Sequence, residues 1–316
     1  MAANSNKAAL NIKDVIYKKR DGLWDTAVIT SGDLWMWGYN AQGQLGDGTV
    51  TSKSSPIQIT SSTTWSSIGL GNGYTVAIKS DGTLWAWGQA AYGALGDGTI
   101  VDKSSPVQVS NLTNWFTVAA GNRHNLAIKT DGTLWTWGAN SFGQLCDGTE
   151  FEKSSPIQIG SLTNWSKISV GVYHSTAVKS DGTLWTWGYN GYGQLGDGTI
   201  VDRSSPIQVG SMSNWSHVSA GQYQTVALKT DGTLWAWGFN QYGQLGDGTV
   251  LPKSSPIQVG ALTNWSKMSS GALCSIALKT DGTLWAWGFN SNGELGDGTN
   301  TNRSSPVQIG NLTNWN

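Results

Sequence analysis

The sequence predicts an all-β protein, a β-propeller of six four-stranded blades with about 50 residues in each blade. Three observations predict this fold. No segment shows a helical period of useful length. A lone Trp recurs every 50 residues, at Trp65, Trp115, Trp165, Trp215, Trp265 and Trp315. The string Leu-Trp-x-Trp-Gly recurs with the same spacing and no insertion, starting at Leu34, Leu84, Leu134, Leu184, Leu234 and Leu284.

The composition is that of one unit copied along the chain. The 316 residues include 42 Gly and 19 Trp, whereas only 12% of them are charged. Ordinary domains carry roughly 25% charged residues and about 7% Gly. Because 38% of the residues are hydrophobic and 10% are aromatic, the chain has enough apolar surface to fold. The formal net charge of −1 argues against nucleic acid as a partner.

One repeat, residues 216–265, shows the elements in order. Residues 216–220 alternate in polarity and end at Gly221, which predicts a first short strand. Residues 225–229 and 233–237 flank Thr-Asp-Gly and predict a hairpin with a type I′ turn, which needs positive φ at both central residues. A Gly-rich loop follows. Ser-Ser-Pro-Ile-Gln-Val then predicts a further strand with Pro256 near its start, where a missing N–H is tolerated.

The Trp-containing strand of this unit indicates how the sheets pack. Trp235 and Trp237 lie on one face of the strand, and Leu234 and Ala236 lie on the other. Both faces are therefore apolar, so the sheet must be covered on both sides. Radial stacking of neighbouring sheets provides that cover, and this is the arrangement of a propeller.

The blade count follows from the spacing. Residues 16–315 hold six units of 50 residues, so we expect a single propeller over residues 16–316 and an N-terminal arm over residues 1–15. The first unit is degenerate, but we align its hairpin positions with the others, with Ala27 matching Ala77. Seven blades are the alternative, because residues 1–15 could add a strand.

The third copy of the repeat reads GNRHNLAIKTDGTLWTWGANSFGQLCDGT. This pattern resembles the regulator of chromosome condensation repeat, and the likeness extends over residues 21–316. The resemblance implies a propeller, typically with seven blades. It also implies functions found in that family, such as guanine-nucleotide exchange, nucleosome binding, light sensing and enzyme inhibition. The wording Thr-Asp-Gly-Thr-Leu-Trp is most similar to bacterial and bacteriophage members.

The reactive residue types are too few and too scattered for catalysis. The chain has three His and two Cys, and it shows no Ser-His-Asp, Cys-His or phosphate-binding arrangement. His124 and His174 share a repeat column with Cys274, but a metal site needs more ligands than these. The Asp in each Gly-Asp-Gly-Thr loop bonds its own turn in our interpretation, because one carboxylate per loop is too few for calcium. We therefore predict a protein that is not an enzyme and holds no cofactor or metal.

The positions that differ between copies supply the candidate binding residues. They lie in the turn after the first strand and in the loop after the Trp strand, and loops on a rigid scaffold often carry binding residues. Aromatic rings at these positions suit a protein hot spot or the face of a sugar. Alternatively, the rings pack on neighbouring blades. The candidates are Tyr39, Tyr92, Phe142, Tyr173, Tyr189, Tyr192, Tyr223, Phe239, Tyr242 and Phe289.

The N-terminal segment differs from the propeller in charge. Residues 1–20 carry five basic side chains and one acidic side chain, a net charge of +4, whereas the whole chain has a net charge of −1. We interpret this segment as an arm that docks onto a larger assembly, such as other virion proteins, with a frayed terminus as the alternative. Its candidate docking residues are Lys13, Lys18, Lys19 and Arg20.

Together these features favour a binding or structural protein that displays variable loops. The first 15 residues lack the apolar core of a signal peptide and no run of 18 apolar residues exists, so we expect no membrane insertion. The leading hypothesis is a virion-associated or surface-displayed protein for attachment or decoration, located on a particle surface. One alternative is a cytoplasmic protein-interaction module, such as a guanine-nucleotide exchange factor or an enzyme inhibitor. The other is a multivalent lectin that binds surface glycans.

Overall fold

Six antiparallel sheets of four strands each form a six-bladed β-propeller, which confirms the first choice of blade number. The computed structural model describes residues 16–20, 23–30, 32–60 and 64–315, with side chains described from residue 32 onward. The blades are numbered 1 to 6 in chain order, and within each blade the strands neighbour each other in sequence order.

Blades 1 to 3 contain β1 (Ile16–Arg20), β2 (Leu23–Thr30), β3 (Asp33–Gly38), β4 (Lys53–Gln58); β5 (Trp65–Leu70), β6 (Tyr74–Lys79), β7 (Leu84–Gly88), β8 (Lys103–Gln108); and β9 (Trp115–Ala120), β10 (His124–Lys129), β11 (Leu134–Gly138), β12 (Lys153–Gln158). Blades 4 to 6 contain β13 (Trp165–Val170), β14 (His174–Lys179), β15 (Leu184–Gly188), β16 (Arg203–Gln208); β17 (Trp215–Ala220), β18 (Gln224–Lys229), β19 (Leu234–Gly238), β20 (Lys253–Gln258); and β21 (Trp265–Ser270), β22 (Cys274–Lys279), β23 (Leu284–Gly288), β24 (Arg303–Gln308). One 3₁₀ turn, Ala91–Gly93, follows β7.

The predicted N-terminal arm falls largely outside this description. Residues 1–15, including Lys13, lie outside the described residues. Lys18, Lys19 and Arg20 lie in β1, whose side chains are not described. The docking role of these four residues therefore stays a prediction.

The hairpin between the second and third strands is not the type I′ turn that the sequence predicts. In blade 2, Gly82 N–H donates to the Lys79 carbonyl at 2.9 Å, and Lys79 N–H donates to the Thr83 carbonyl at 3.0 Å. Gly82 has a φ of +78°, and Asp81 is not among the residues with positive φ. The prediction was wrong because only the Gly is left-handed. The connection is a type I turn followed by a left-handed Gly, a second hairpin geometry that suits Asp-Gly.

In blades 2 to 6 the first strand lies next to the propeller axis, because consecutive first strands contact each other. Side-chain hydroxyls join these strands across the blade boundaries. Val118 N–H donates to Ser67 Oγ at 3.3 Å, and Ala220 N–H donates to Ser169 Oγ at 3.0 Å. The second, third and fourth strands follow outward from the axis.

The core lies between the blades, as the two apolar faces of the Trp strand predict. Leu34 and Met36 of blade 1 pack with Trp65 and Trp87 of blade 2, and all four side chains are buried. Trp87 also donates its indole N–H to the carbonyl of Gln44 in the preceding blade at 2.9 Å. The same bond recurs from Trp137 to Ala94, from Trp187 to Gln144, from Trp237 to Gln194 and from Trp287 to Gln244. Packing and hydrogen bonding therefore join successive blades at the same tryptophan.

The junction between blade 6 and blade 1 differs from the five others. At those five, a Gly N–H donates to a Ser carbonyl of the next blade at 2.8 to 3.0 Å, as from Gly248 to Ser304. Within the described residues, the matching bond from Gly298 to Ser54 is not formed. Blade 1 also departs in register, because Ala27 lies opposite Met36 whereas Ala77 lies opposite Trp85. The expected match of Ala27 to Ala77 is therefore wrong by one position of the ladder.

In every blade except blade 2, where Ala90 takes the position, the long loop after the third strand is built around one buried Asn. In blade 1, Asn40 accepts a hydrogen bond from Leu45 N–H at 2.9 Å and donates to Asp47 at 3.2 Å and to the Thr51 carbonyl at 3.2 Å. The same arrangement recurs at Asn140, Asn190, Asn240 and Asn290. The loops are thus rigid frames that present their variable residues in a fixed way.

Candidate binding face

Both sets of variable positions lie at the same end of the propeller, a point that the sequence pattern left open. The N–H of Tyr189, at the start of the loop after β15, donates to the carbonyl of Tyr173, in the turn after β13, at 3.0 Å. In blade 5, Phe239 N–H donates to the Tyr223 carbonyl at 2.9 Å. The hairpins between second and third strands lie at the opposite end, which we call the hairpin end.

Eight of the predicted aromatic residues form one continuous chain of ring contacts across blades 3 to 6. Neighbouring rings have centroids between 4.9 and 6.3 Å apart and meet mostly edge to face. The ring chain contains Phe142, Tyr173, Tyr189, Tyr192, Tyr223, Phe239, Tyr242 and Phe289. We call this end of the propeller the aromatic face.

In blades 3, 4 and 5 a buried Gln fixes the backbone at the second aromatic residue of the loop. Tyr192 N–H donates to Gln194 Oε1 at 2.9 Å, and Tyr242 N–H donates to Gln244 Oε1 at 3.0 Å. Both Gln side chains are fully buried, whereas most of the rings are half-buried. Tyr192 keeps 39% of its surface exposed. The rings therefore pack on neighbouring blades and also present a surface to solvent. Packing between blades and availability for binding, which the sequence analysis gives as alternatives, are compatible for these side chains.

Tyr92 and Tyr39 lie apart from the ring chain. Tyr92 has a φ of +61° in the 3₁₀ turn and is 43% exposed. The guanidinium carbon of Arg123 lies 4.8 Å from its ring centroid, a cation–π contact between blades 2 and 3. Tyr39 is half-buried in the corresponding loop of blade 1, and no ring contact joins it to another described aromatic residue.

A recess of about 210 Å³ opens on the aromatic face between blades 2, 3 and 4. Its lining includes the rings of Tyr92, Phe142 and Tyr173, together with Arg123 and Ala139. Arg123 and Ala139 were not predicted as site residues from the sequence. In the sequence, each of these two residues differs in type from the residues at the same repeat position. Arg123 corresponds to Gly73 and Tyr223, and Ala139 corresponds to Tyr189 and Phe239.

The histidine column joins blades and does not gather ligands. His174 Nε2 lies 3.0 Å from Thr225 Oγ1 of the next blade, and that hydroxyl donates to the Gln194 carbonyl at 2.8 Å. The hydroxyl therefore accepts from His174, which places the imidazole proton on Nε2. Burial lowers the pKa of His174 from 6.5 to about 3. His124 lies 3.0 Å from Ser175 in the same way, so the column has a scaffold role.

The Asp of each loop is a structural residue, as the sequence interpretation holds. Asp47 accepts from Thr49 N–H at 3.0 Å and pairs with Lys53 at 3.0 Å. Burial alone would raise the pKa of Asp47, but the hydrogen bonds from Lys53 and Thr49 hold it below its usual value. Equivalent ion pairs recur in the other five blades.

Neither cysteine is placed to act as a nucleophile. Cys146 is buried, and burial raises the pKa of its thiol well above the usual value. Burial, with a smaller effect of Glu294, raises the pKa of Cys274 to about 11. Reactive cysteines need the opposite shift, because the thiolate is the nucleophile.

Two further properties apply to the described part of the chain. Its His, Cys, Asp and Glu side chains form no group of three or more that could hold a metal ion. None of its helices is long and apolar enough to span a membrane.

Comparison with known proteins places the fold. The family model for the RCC1-like domain matches residues 26–316. Human WBSCR16 is 22% identical with a TM-score of 0.80, over 91% of this chain and 80% of that one. Prp20p from Saccharomyces cerevisiae, studied for its binding to Gsp1p and histones, is 21% identical with a TM-score of 0.80, over 92% of this chain and 78% of that one. Yeast RCC1 bound to Kap60 is 19% identical with a TM-score of 0.80, over 96% and 82%. No curated protein matches the chain in sequence.

Proposed function

We propose that this chain, which belongs to the RCC1-like domain family, is a non-enzymatic module that binds a protein partner on its aromatic face. The observation that carries the proposal is the ring chain, which runs unbroken from blade 3 to blade 6. Tyr and Arg are enriched at the centres of protein interfaces, whereas Lys, Asp and Glu are depleted there. The aromatic face has the same character.

The geometry favours a protein partner over a sugar. In the ring chain, Tyr192 meets Phe239 edge to face at 4.9 Å, and Tyr242 meets Phe289 edge to face at 5.0 Å. Such interlocked rings offer a broad, rigid surface that loses little side-chain entropy when a partner covers it.

An exchange factor for a small GTPase is the narrower form of this proposal. Its support is the shared fold with Prp20p, which binds Gsp1p. A nucleotide-release assay with small GTPases of the source organism tests it directly. Faster release in the presence of this chain is expected for an exchange factor, and an unchanged release rate would remove that form while leaving the protein-binding proposal in place.

Attachment to a virion or display on a particle surface stays a prediction from composition, with the N-terminal arm as the anchor. Fractionation of source material with quantitative mass spectrometry tests it. Recovery of the chain with purified particles is the expected result, and recovery only with soluble cytosol would contradict it.

The binding proposal itself is tested by affinity capture with matched variants. Three proteins are immobilised: the wild type, the double variant Tyr192→Ala/Tyr223→Ala, and Tyr39→Ala, which removes the same ring type outside the ring chain. Proteins that bind the immobilised wild type are purified, and the Kd of each is measured for the wild type and both variants. We expect the double variant to bind at least about 30-fold more weakly and the Tyr39→Ala variant to bind like the wild type.

Two results would contradict the proposal. One is a partner that binds the double variant as tightly as the wild type. The other is a glycan array on which the wild type binds specific sugars through Tyr192 while no protein partner distinguishes the variants. That second result would establish the lectin alternative.

A further inference from the structure

Blade 3 breaks the aromatic pattern of the face. In blade 4 the bonded pair at this end consists of two rings, Tyr173 and Tyr189, and blade 5 carries two rings as well. In blade 3 the matching pair is Arg123 and Ala139, joined by a bond from Ala139 N–H to the Arg123 carbonyl at 2.8 Å. A methyl group therefore stands where blades 4, 5 and 6 have a ring, and the recess opens there.

Arg123 enters this recess without the ion pair that the other described arginines make. Arg203 and Arg303 lie 2.7 Å from the carboxylates of Asp197 and Asp297. No described carboxylate lies within 4.0 Å of the Arg123 guanidinium. Its Nε is buried and has no hydrogen-bond partner among the described residues. The Arg123 side chain lines the recess, so a carboxylate that enters the recess would supply the anionic partner that the described residues do not.

Aromatic and polar side chains share the lining of the recess. The Tyr92 ring lies against the guanidinium, and the lining also contains Phe142, Tyr173, Asn122, Ser141 and Gln144. A hydrogen bond between a guanidinium and a carboxylate is charge-assisted and roughly twice as strong as a neutral one. The planar guanidinium also matches the two oxygens of a carboxylate.

We propose that the recess receives an acidic side chain of the protein partner, with its carboxylate bound by Arg123. This inference rests on the proposed function and names the anchor of the same interface. Continuity supports a protein source for the carboxylate, because Phe142 and Tyr173 line the recess and also begin the ring chain. A partner that covers the ring chain therefore reaches the recess.

A phage-displayed library of random peptides, selected on the wild type, tests the inference without the natural partner. We expect the enriched peptides to share an Asp or Glu. A synthetic peptide from this set should bind at least about tenfold more tightly than its Glu→Gln or Asp→Asn counterpart.

Two variants locate the contact. Arg123→Gln removes the charge and should cancel the difference between the acidic peptide and its amide counterpart. Ala139→Phe should abolish acidic-peptide binding by filling the recess, and the fold tolerates a Phe at this position because blades 5 and 6 carry Phe239 and Phe289 there. Unfolding curves confirm that both variants are folded. If Arg123→Gln does not fold, Arg123→Lys replaces it, and it should weaken the peptide because Lys lacks the planar fork.

The inference is overturned if no peptide is enriched, if enriched peptides lack an acidic residue, or if the Arg123 variant binds them as the wild type does. Affinity measurements with the captured partner distinguish failure of this inference from failure of the proposed function. A partner that loses affinity for Tyr192→Ala/Tyr223→Ala but not for Arg123→Gln or Ala139→Phe leaves the proposed function standing and removes the acidic anchor.

Discussion

The two ends of the propeller use the same residue types in opposite ways. At the hairpin end, five lysines each lie between two Trp rings, with Nζ 3.5 to 3.9 Å from one ring centroid and 4.8 to 5.3 Å from the other. At the aromatic face, Arg123 contacts one Tyr ring and has no described carboxylate partner. The lysines at the hairpin end are satisfied within the chain, whereas Arg123 at the aromatic face has no carboxylate partner among the described residues.

The pattern of repetition follows this division. The Lys and both Trp of the hairpin end recur in blades 2 to 6, whereas the aromatic face has a different set of side chains in each blade. Residues that satisfy one another inside a blade have no reason to change when the unit is copied. Identity between copies therefore marks the scaffold, and variation on a rigid frame marks the surface available to a partner.

The largest expected effect comes from breaking the scaffold at a blade junction. Trp187→Ala removes a fully buried ring and the 2.9 Å bond to the Gln144 carbonyl. We expect the free energy of unfolding to fall by about 3–5 kcal/mol, measured by urea denaturation. Trp315→Ala is the control, because Trp315 is 40% exposed and its removal should cost less than about 1 kcal/mol. Equal losses of unfolding free energy in the two variants would contradict the division between buried scaffold and exposed surface.

The second prediction concerns pH and the buried His174. Burial lowers its pKa from 6.5 to about 3, so the folded protein keeps the imidazole neutral while the unfolded chain takes up a proton below pH 6.5. Its contribution to stability is therefore complete above pH 6.5 and is lost as the pH falls toward 3. The loss is about 1.4 kcal/mol per pH unit within this window.

His174→Gln should remove that loss. Gln224 occupies the same column and donates to the Gly271 carbonyl at 3.1 Å, so the fold accepts Gln there. Urea unfolding of both proteins between pH 6.5 and 4.5, above the range in which carboxylates titrate, gives the comparison. A wild-type slope as flat as that of His174→Gln would show that this imidazole does not titrate in the window.

Stability should fall less when one cation–π contact at the hairpin end is removed. Lys179 Nζ lies 3.9 Å from the Trp185 centroid and 4.8 Å from the Trp165 centroid, and burial lowers the pKa of Lys179. Lys179→Met keeps the apolar stem and should cost about 1 kcal/mol in denaturant unfolding. Lys167→Met, at an exposed position of β13, should change stability by less than about 0.5 kcal/mol. An equally small change of stability in both variants would show that the contacts of Lys179 with the two Trp rings do not stabilise the fold.

The smallest expected effect on stability is at the aromatic face. Tyr192→Ala removes a partly exposed ring whose centroid lies 5.1 Å from that of Tyr223 and 4.9 Å from that of Phe239. We expect the free energy of unfolding to fall by about 1 kcal/mol or less, measured in the same urea series. A loss as large as that of Trp187→Ala would place Tyr192 in the scaffold.

The sequence predicted the parts of this molecule that depend on periodicity. The blade number, the apolar faces and the loop Asp all follow from patterns that repeat without a gap, and the structure confirms them. The turn type was missed because Asp-Gly suits two hairpin geometries, and the strand register around the turn decides between them.

The site was predicted only as a set of rings. Sequence variation identified Tyr192 and its neighbours as loop residues, but it could not show that they touch, because that depends on which loops share an end of the propeller. Arg123 was missed for a different reason. Its role depends on the small Ala139 beside it, and a missing ring is not visible in a search for aromatic residues.

The affinity of a purified partner for three proteins tests most directly whether the ring chain is the binding surface. The three proteins are the wild type, Tyr192→Ala/Tyr223→Ala and Lys179→Met, and isothermal titration at fixed temperature and salt gives Kd for each. We expect at least about a 30-fold loss of affinity for the double variant and no change for Lys179→Met, although Lys179→Met is expected to lower stability. Equal Kd values for the wild type and the double variant, or a loss of affinity confined to Lys179→Met, would contradict binding through the ring chain.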